Sequence, residues 1–415
     1  MVTVFVVLSL VLIVTIQRFT KTLLLSMISG FGVFVAMNGV LRSACLELFL
    51  TAVRDKSFLS LIPAIFFIYF LGEVMDVSKD GERMTQSVQK LFHGSRGAVV
   101  FIPSAIGLMP MPAGAMFTAP MVDRMGEGMS NLDKLLTNYW FRHCLEFFWP
   151  VYPAMYLLAG LTSTKIGVVS LRLSPLFFVS FLAGWVYLNG LKLPRFNKLS
   201  CSEWKQLWPL ILVLSVGFMI LLFKMEGWLA LFLVSVFYAF LRRNHVTEAV
   251  KRTLRRLDVV PIVLLVFMFK HAMMDFGLGE RVSLEMMNLG LSTKLVAILL
   301  PLLSGMATGI THAGLGIAYP VVVGMGDEQL GLLVYVFSVL GVLLSPVHLC
   351  LVLTLNYFKV DLSKAVLRML PLIGDSVRGV SALRVKRGVR HDEVPWKTFS
   401  TGIALETVVR TRSTR

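Results

Sequence analysis

Apolar runs close to the length of a bilayer crossing recur along most of this chain: Val2 to Ile16, Leu23 to Leu41, Phe58 to Met75, Leu210 to Phe223, Trp228 to Leu241 and Val259 to Met274. A spanning helix needs about 17–25 residues, so the shorter runs fit with little tilt or some thinning of the bilayer. With 56% hydrophobic and 15% charged residues, the 415-residue chain lacks the polar surface of a water-soluble protein. The first run reads as a spanning helix rather than a leader, because no basic segment precedes it and no small-residue cleavage pattern follows before Arg18. The class expected is an all-α polytopic membrane protein with about 9–10 spanning helices.

The net charge of +16 does not point to nucleic acid, because the basic residues concentrate in alternate loops. Arg18, Lys79, Arg83, Lys90, Arg96 and the cluster Arg242, Arg243, Lys251, Arg252, Arg255 and Arg256 fall on one side. The other side holds Arg42, Arg54, Lys56, Lys165, Arg172, Lys224, Arg281 and Lys294. The positive-inside rule makes the first set cytoplasmic, which puts the N-terminus outside the inner (cytoplasmic) membrane and the C-terminus in the cytoplasm. Cys45, Cys144, Cys201 and Cys350 show no metal or redox spacing and read as structural. Neither a phosphate-cradling Gly-Lys-Ser/Thr loop, an HExxH pair nor a GxSxG elbow occurs, which argues against an enzyme, an ATP-driven pump, a bound cofactor or a metal site.

The two halves match when slid by about 200 residues. Gly107 to Pro120 (GLMPMPAGAMFTAP) aligns with Ala307 to Pro320 (ATGITHAGLGIAYP). Gly81-Glu82-Arg83 aligns with Gly279-Glu280-Arg281, and the stretch from Tyr139 to Pro150 with that from Tyr335 to Pro346. Each half thus reads as helix, Gly-Glu-Arg loop, Gly/Pro hairpin and a helix interrupted at proline. The loop charges place the two hairpins on opposite sides, so the repeats are expected to be inverted. The organisation expected is a first repeat over 1–190, with its hairpin at 98–122 and its broken helix near 150. A second repeat follows over 191–360, with its hairpin at 295–323 and its broken helix near 346, and then a basic cytoplasmic tail over 361–415.

Pro103, Pro110, Pro112 and Gly114 interrupt the first hairpin, whose tip falls near Pro110 to Ala115; the second carries Thr308, Thr311, His312 and Gly314 at its tip. Non-helical backbone at membrane depth costs several kcal/mol per unsatisfied group, so paired tips point to a binding site. Small residues that merely allow close helix packing are the alternative. Trp149-Pro150-Val151-Tyr152-Pro153 and Ser345-Pro346-Val347-His348 are read as helix breaks facing the tips, which brings four discontinuities together near mid-membrane. Arg142, His143 and Glu146 precede the first break. They form either a proton route, a substrate donor beside an Arg–Glu pair, or an internal ion pair that only positions helices. Lys270, His271 and Asp275, like Glu73 and Asp76, read as structural groups at helix ends, and Glu47 as a loop residue.

On these motifs the chain resembles the ion transporter superfamily, which includes divalent anion–sodium symporters, citrate and gluconate permeases and the large membrane subunits of TRAP transporters. GLMPMPAGAMFTAPMVD, NYWFRHCLEFFWPVYP and SPVHLCL look most like an uncharacterised prokaryotic membrane family, domain of unknown function 401. The resemblance covers about residues 1 to 360 and implies a dimerising scaffold, hence a homodimer, and a moving part that carries both hairpins. It implies that substrate and coupling ions sit at Pro112, Ala113 and Gly114, at Thr311, His312 and Gly314, at Pro150 to Pro153 and at Ser345 to His348. The Ser-Asn-Thr triplets of the symporters are absent from both tips. This leaves Na+ or H+ as the coupling ion and favours a proton route through His143 and Glu146. The function expected is a secondary active permease for a small organic anion. A membrane-embedded enzyme using His143 and Glu146, or a non-transporting assembly partner, is the alternative. The stretch from Lys364 to Arg415 is too weakly apolar to span and is expected to form a short amphipathic helix followed by a disordered tail.

Overall fold

The computed structural model describes residues 2–382 except 21, 41, 93–95, 110–113, 191, 276–277 and 326–329. Among these residues all regular structure is helical. The chain begins with α1 (Val2–Thr20), α2 (Leu23–Met37), α3 (Arg42–Arg54), α4 (Lys56–Val77), α5 (Asp80–Leu91), α6 (Phe101–Gly107) and α7 (Gly114–Met125). It continues through α8 (Asn131–His143), α9 (Pro153–Leu161), α10 (Ile166–Asn189), α11 (Cys201–Lys205), α12 (Trp208–Leu221), α13 (Gly227–Leu241) and α14 (Val246–Leu254). It ends with α15 (Val259–Asp275), α16 (Leu278–Asn288), α17 (Thr293–Thr308), α18 (Thr311–Gly324), α19 (Gly331–Leu343), α20 (Leu349–Phe358) and α21 (Leu362–Ala382).

Among the described residues three helices, α1, α4 and α10, are long and apolar enough to cross a bilayer by themselves. Five spans result if α13 with 243–254 and α15 with 278–286 each count as one bent span. Any other crossing among the 9–10 expected must be built from apolar helices of 10–17 residues, such as α2, α12, α17, α19 and α20. Gly309 ends α17 and Ser345-Pro346 follows α19, whereas α20 ends at Lys359 in the left-handed region. Leu171, Phe178 and Leu182 on α10, Ile211 and Phe218 on α12, and Phe237 and Phe240 on α13 are exposed. Contiguous apolar surface of that kind is a liability in water and an ordinary exterior in lipid, so the chain is a helical membrane protein.

Both Gly-Glu-Arg segments open helices rather than forming loops. Asp80 and Glu82 lie in the first turn of α5 and Glu280 in that of α16, where carboxylates favour the helix N-terminus. Gly81, Met84, Thr85 and Val88 then bury one face of α5 at helical spacing. Glu47 likewise lies within α3 and not in a loop. The ionisable groups read as structural are paired. Glu73 Oε1 meets Arg256 Nε at 2.8 Å and Asp76 Oδ2 meets Arg252 Nη1 at 2.9 Å. Asp55 receives His271 Nε2 at 3.2 Å and lies 3.7 Å from Lys270 Nζ, while His271 Nδ1 contacts Asp275 at 3.0 Å. Burial raises the Asp55 pKa, but the His271 hydrogen bond and the Lys270 charge outweigh it and bring it down to about 2.

Two supports hold the middle of the molecule. Trp140 of α8 donates its Nε1–H to Ser180 O of α10 at 2.9 Å, and a Cβ on Gly184 would lie 2.6 Å from the indole. From the other side α21 buries Ala365, Met369, Leu372, Ile373 and Ser376, one stripe at helical spacing. Ser376 and Ser180 share a hydrogen bond at 2.8 Å, and Arg368 reaches Asp133 of α8 at 3.3 Å. The expected amphipathic helix is therefore α21, and residues 383–415 lie outside the described ones. The second support is α17 against α19. A Cβ on Gly305 would sit 2.5 Å from Ser338 O, and one on Gly341 would run into Leu302 O, so only glycine lets these backbones touch.

Two outcomes follow from this packing. Gly341→Ala forces α17 and α19 apart and lowers the thermal midpoint in detergent by the equivalent of about 1–3 kcal/mol, whereas Gly374→Ala, with open space around it, does not. Asp80 is 3% exposed and accepts Arg242 Nε at 2.6 Å and Nη2 at 2.9 Å, with Tyr238 OH at 3.0 Å. Burial pushes its carboxyl up, but the Arg242, Ser78 and Tyr238 hydrogen bonds prevail and hold it below the ordinary value. A depressed carboxyl stabilises the fold above its unfolded-state pKa and loses that contribution as pH falls through the folded-state value. Asp80→Asn should accordingly cost about 1.5–3 kcal/mol at pH 7. The gap from wild type should close only below the usual carboxylate range of about pH 4, as thermal melts across pH will show.

Candidate functional site

Two helices stop in the middle of their apolar segments. After α8 the chain makes a 3-10 turn, Cys144–Phe147, runs irregularly through Pro150 and restarts as α9 at Pro153. After α19 it is irregular through Ser345, Pro346 and Val347 and restarts as α20 at Leu349. The second hairpin reverses beside them. α17 ends at Thr308, Gly309 turns the chain at φ +66°, and α18 begins at Thr311. The left-handed φ makes Gly309 the residue of choice at that reversal. In the first hairpin α6 ends at Gly107 and α7 begins at Gly114. Pro112 and Ala113 lie outside the described residues.

Several carbonyls at these discontinuities are taken up by side chains of the elements packed around them. Tyr152 OH donates to Gly107 O at 2.6 Å and to Arg142 O at 3.3 Å, and Trp149 Nε1 donates to Leu108 O at 2.9 Å. Tyr335 OH donates to Glu146 O at 2.7 Å, Tyr139 OH to Leu343 O at 3.2 Å, and Ser170 Oγ to Phe148 O. Ser345 Oγ donates to Met306 O at 2.6 Å, and His348 Nδ1 to Gly309 O at 2.8 Å. Side chains join the breaks directly as well. Thr311 Oγ1 donates to Glu146 Oε2 at 2.9 Å, and His143 Nε2 faces His348 Nε2 at 3.0 Å.

This network encloses one side of a cavity of about 860 Å³. Of the residues singled out from the sequence, Arg142, His143, Glu146, Tyr152, Pro153, Thr308, Thr311, His312, Pro346 and His348 line it. Four others stand behind the wall. Pro150 is buried within the break, and Ser345 spends its hydroxyl on the Met306 carbonyl. A Cβ on Gly314 would meet Gly305 Cα at 2.9 Å, which makes Gly314 a packing position. Gly114 lies against the Arg142 guanidinium, where any side chain would collide with it. The first turns of α9, α18 and α20 all contribute to the wall, through Pro153 and Ala154, Thr311 and His312, and Leu349 and Cys350.

The wall also contains Gln17, Arg18, Tyr69, Arg256 and Cys350, none of which sequence reasoning had placed there. Arg18 and Arg256 had counted only as loop charges, and their arrival depends on how α1 and the segment before α15 pack. Cys350 had a usable signal, since it follows His348 by two residues at the restart of α20.

No curated protein matches the chain. A family model described as "Protein of unknown function (DUF401)" matches residues 3–380. That span takes in both hairpins, both breaks and every residue of the cavity wall, and the chain belongs to this family.

Proposed function

We propose that this protein is a secondary active transporter for a small organic anion, driven by a proton or sodium gradient and working by alternating access in the cytoplasmic membrane. The observation that carries the reading is the cavity wall. Its described residues combine Arg18, Arg142 and Arg256, the last of these paired with Glu73, and the first turns of three helices with one carboxylate, Glu146. Helix N-termini carry partial positive charge and suit anions, and arginine suits carboxylates in particular. A volume of about 860 Å³ falls within the usual range for small-molecule sites.

Alternating access adds a second line of support. Arg18 and Arg256 belong to the loop set that the charge rule assigns to the cytoplasm, so the cavity reaches from the helix breaks towards that face. On this reading the structure is an inward-facing state. The sequence match between halves supplies an inverted partner hairpin for the opposite state, in keeping with the resemblance to the ion transporter superfamily. The interlocked hydrogen bonds would let the two hairpins and two breaks move as a body. An enzymatic reading through His143 and Glu146 is less well supported, because Glu146 is engaged by Thr311 and His143 Nε2 faces His348 rather than the carboxylate.

Uptake into proteoliposomes of a panel of carboxylates, under an imposed proton gradient and separately a sodium gradient, tests the proposal. Saturable uptake under at least one gradient is expected. In Arg142→Gln the half-saturating concentration should rise roughly tenfold or more, as expected for losing a charged hydrogen bond of about 1.5–3 kcal/mol. Absence of flux for every carboxylate under both gradients sinks the proposal.

A further inference from the structure

The contact between His143 and His348 carries information beyond their presence in one wall. Their Nε2 atoms are 3.0 Å apart. The other nitrogen of each ring, Nδ1, lies 2.8 Å from a backbone carbonyl, that of Tyr139 for His143 and that of Gly309 for His348. A carbonyl oxygen only accepts, so each Nδ1 bears its hydrogen. In neutral rings both Nε2 atoms then direct lone pairs at one another. Such an arrangement repels unless an electron-pair acceptor joins them. Cys350 supplies a third donor, and its Sγ and one ring nitrogen of each histidine all lie within 4.8 Å of one another.

We propose that His143, His348 and Cys350 form a binding site for a d-block cation of the Zn2+ class, bound through Nε2, Nε2 and Sγ. Two imidazoles and a thiolate are the donors such ions select, whereas Na+, Mg2+ and Ca2+ take oxygen. The carbonyls on the two Nδ1 atoms are the outer-shell partners that orient metal-binding histidines and fix their tautomer. Two metal–nitrogen bonds of about 2.0–2.1 Å at a tetrahedral angle place the nitrogens roughly 3.3 Å apart, close to the separation observed. The Cys350 thiolate and the nearby Glu146 offset the charge of the cation, against Arg142 on the same wall. All three ligands line the cavity, which leaves a fourth position for water or a carboxylate. The site joins the end of α8 to the start of α20 and does not depend on the transport reading. The spacing of the cysteines pointed to no metal because the ligands come from opposite halves of the chain.

The test uses full-length, untagged protein in detergent, stripped with a chelator and titrated with Zn2+ against a chromophoric competitor. One Zn2+ per chain is expected. His348→Ala and Cys350→Ser should each weaken binding about a hundredfold or more, while His245→Gln, outside the cavity wall, leaves it unchanged. Titrating the wild type with Co2+ gives a readout that needs no variant, a near-ultraviolet thiolate-to-metal charge-transfer band. Failure to bind Zn2+ stoichiometrically, binding that survives both substitutions, or a Co2+ complex lacking the thiolate band each overturns the proposal. Any of these results leaves a shared proton as the link between the rings.

Discussion

Backbone carbonyls freed inside an apolar medium must find donors, and the centre of this molecule is organised around that requirement. Each unsatisfied group would cost several kcal/mol, and α8, α19 and both hairpins release such groups within one small volume. The donors are mostly long or aromatic side chains with a single polar tip. Tyr152 and Trp149 reach from the first break to carbonyls at the end of α6, and Tyr139 of α8 and Tyr335 of α19 reach carbonyls at the break of each other's helix. An aromatic ring suits the task because it buries apolar area while carrying a hydroxyl or indole N–H to its partner. Among the described residues these bonds tie the two breaks and the hairpin segments to one another.

That network also determines which groups remain for a ligand. Side chains take up the carbonyls of Gly107, Leu108, Met306 and Gly309, while the first turns of α9, α18 and α20 stay on the cavity wall beside the side chains of Arg142 and His312 and the Thr311-bound Glu146. The wall is richer in cationic than anionic groups, which underlies the proposed anion substrate. The two histidines belong to both systems. Each uses Nδ1 to close the backbone and Nε2 to face the other, so holding the fold together fixes the chemistry they can offer.

The surrounding helices transmit rigidity to this centre. α10 supports α8 through Trp140 and Ser180 and takes the Phe148 carbonyl through Ser170, and α21 clamps α10 from outside. Glycine contacts at 305, 314 and 341 press the second hairpin against α19 with little side-chain volume between them. Close backbone packing of that kind supports an apolar bundle that gains nothing from expelling water between its helices.

The sequence alone established the membrane class, most helix positions and the four interruptions. Those properties follow from local chemistry: apolar runs of a given length, and proline and glycine that cannot continue a helix. It also marked many of the cavity-lining residues, because each lies in or next to an interruption. The starts of α5 and α16 were misread as loops, since Gly-Glu-Arg favours both a turn and a helix N-terminus and only the buried face of α5 decides between them. Tertiary structure alone decided the pairings. Arg18 joins the wall from the last turn of α1 and Arg256 from the segment before α15, and His143 meets His348 and Cys350 across more than 200 residues. No local pattern encodes such meetings, because they arise where two broken helices must exchange hydrogen bonds that neither can make for itself.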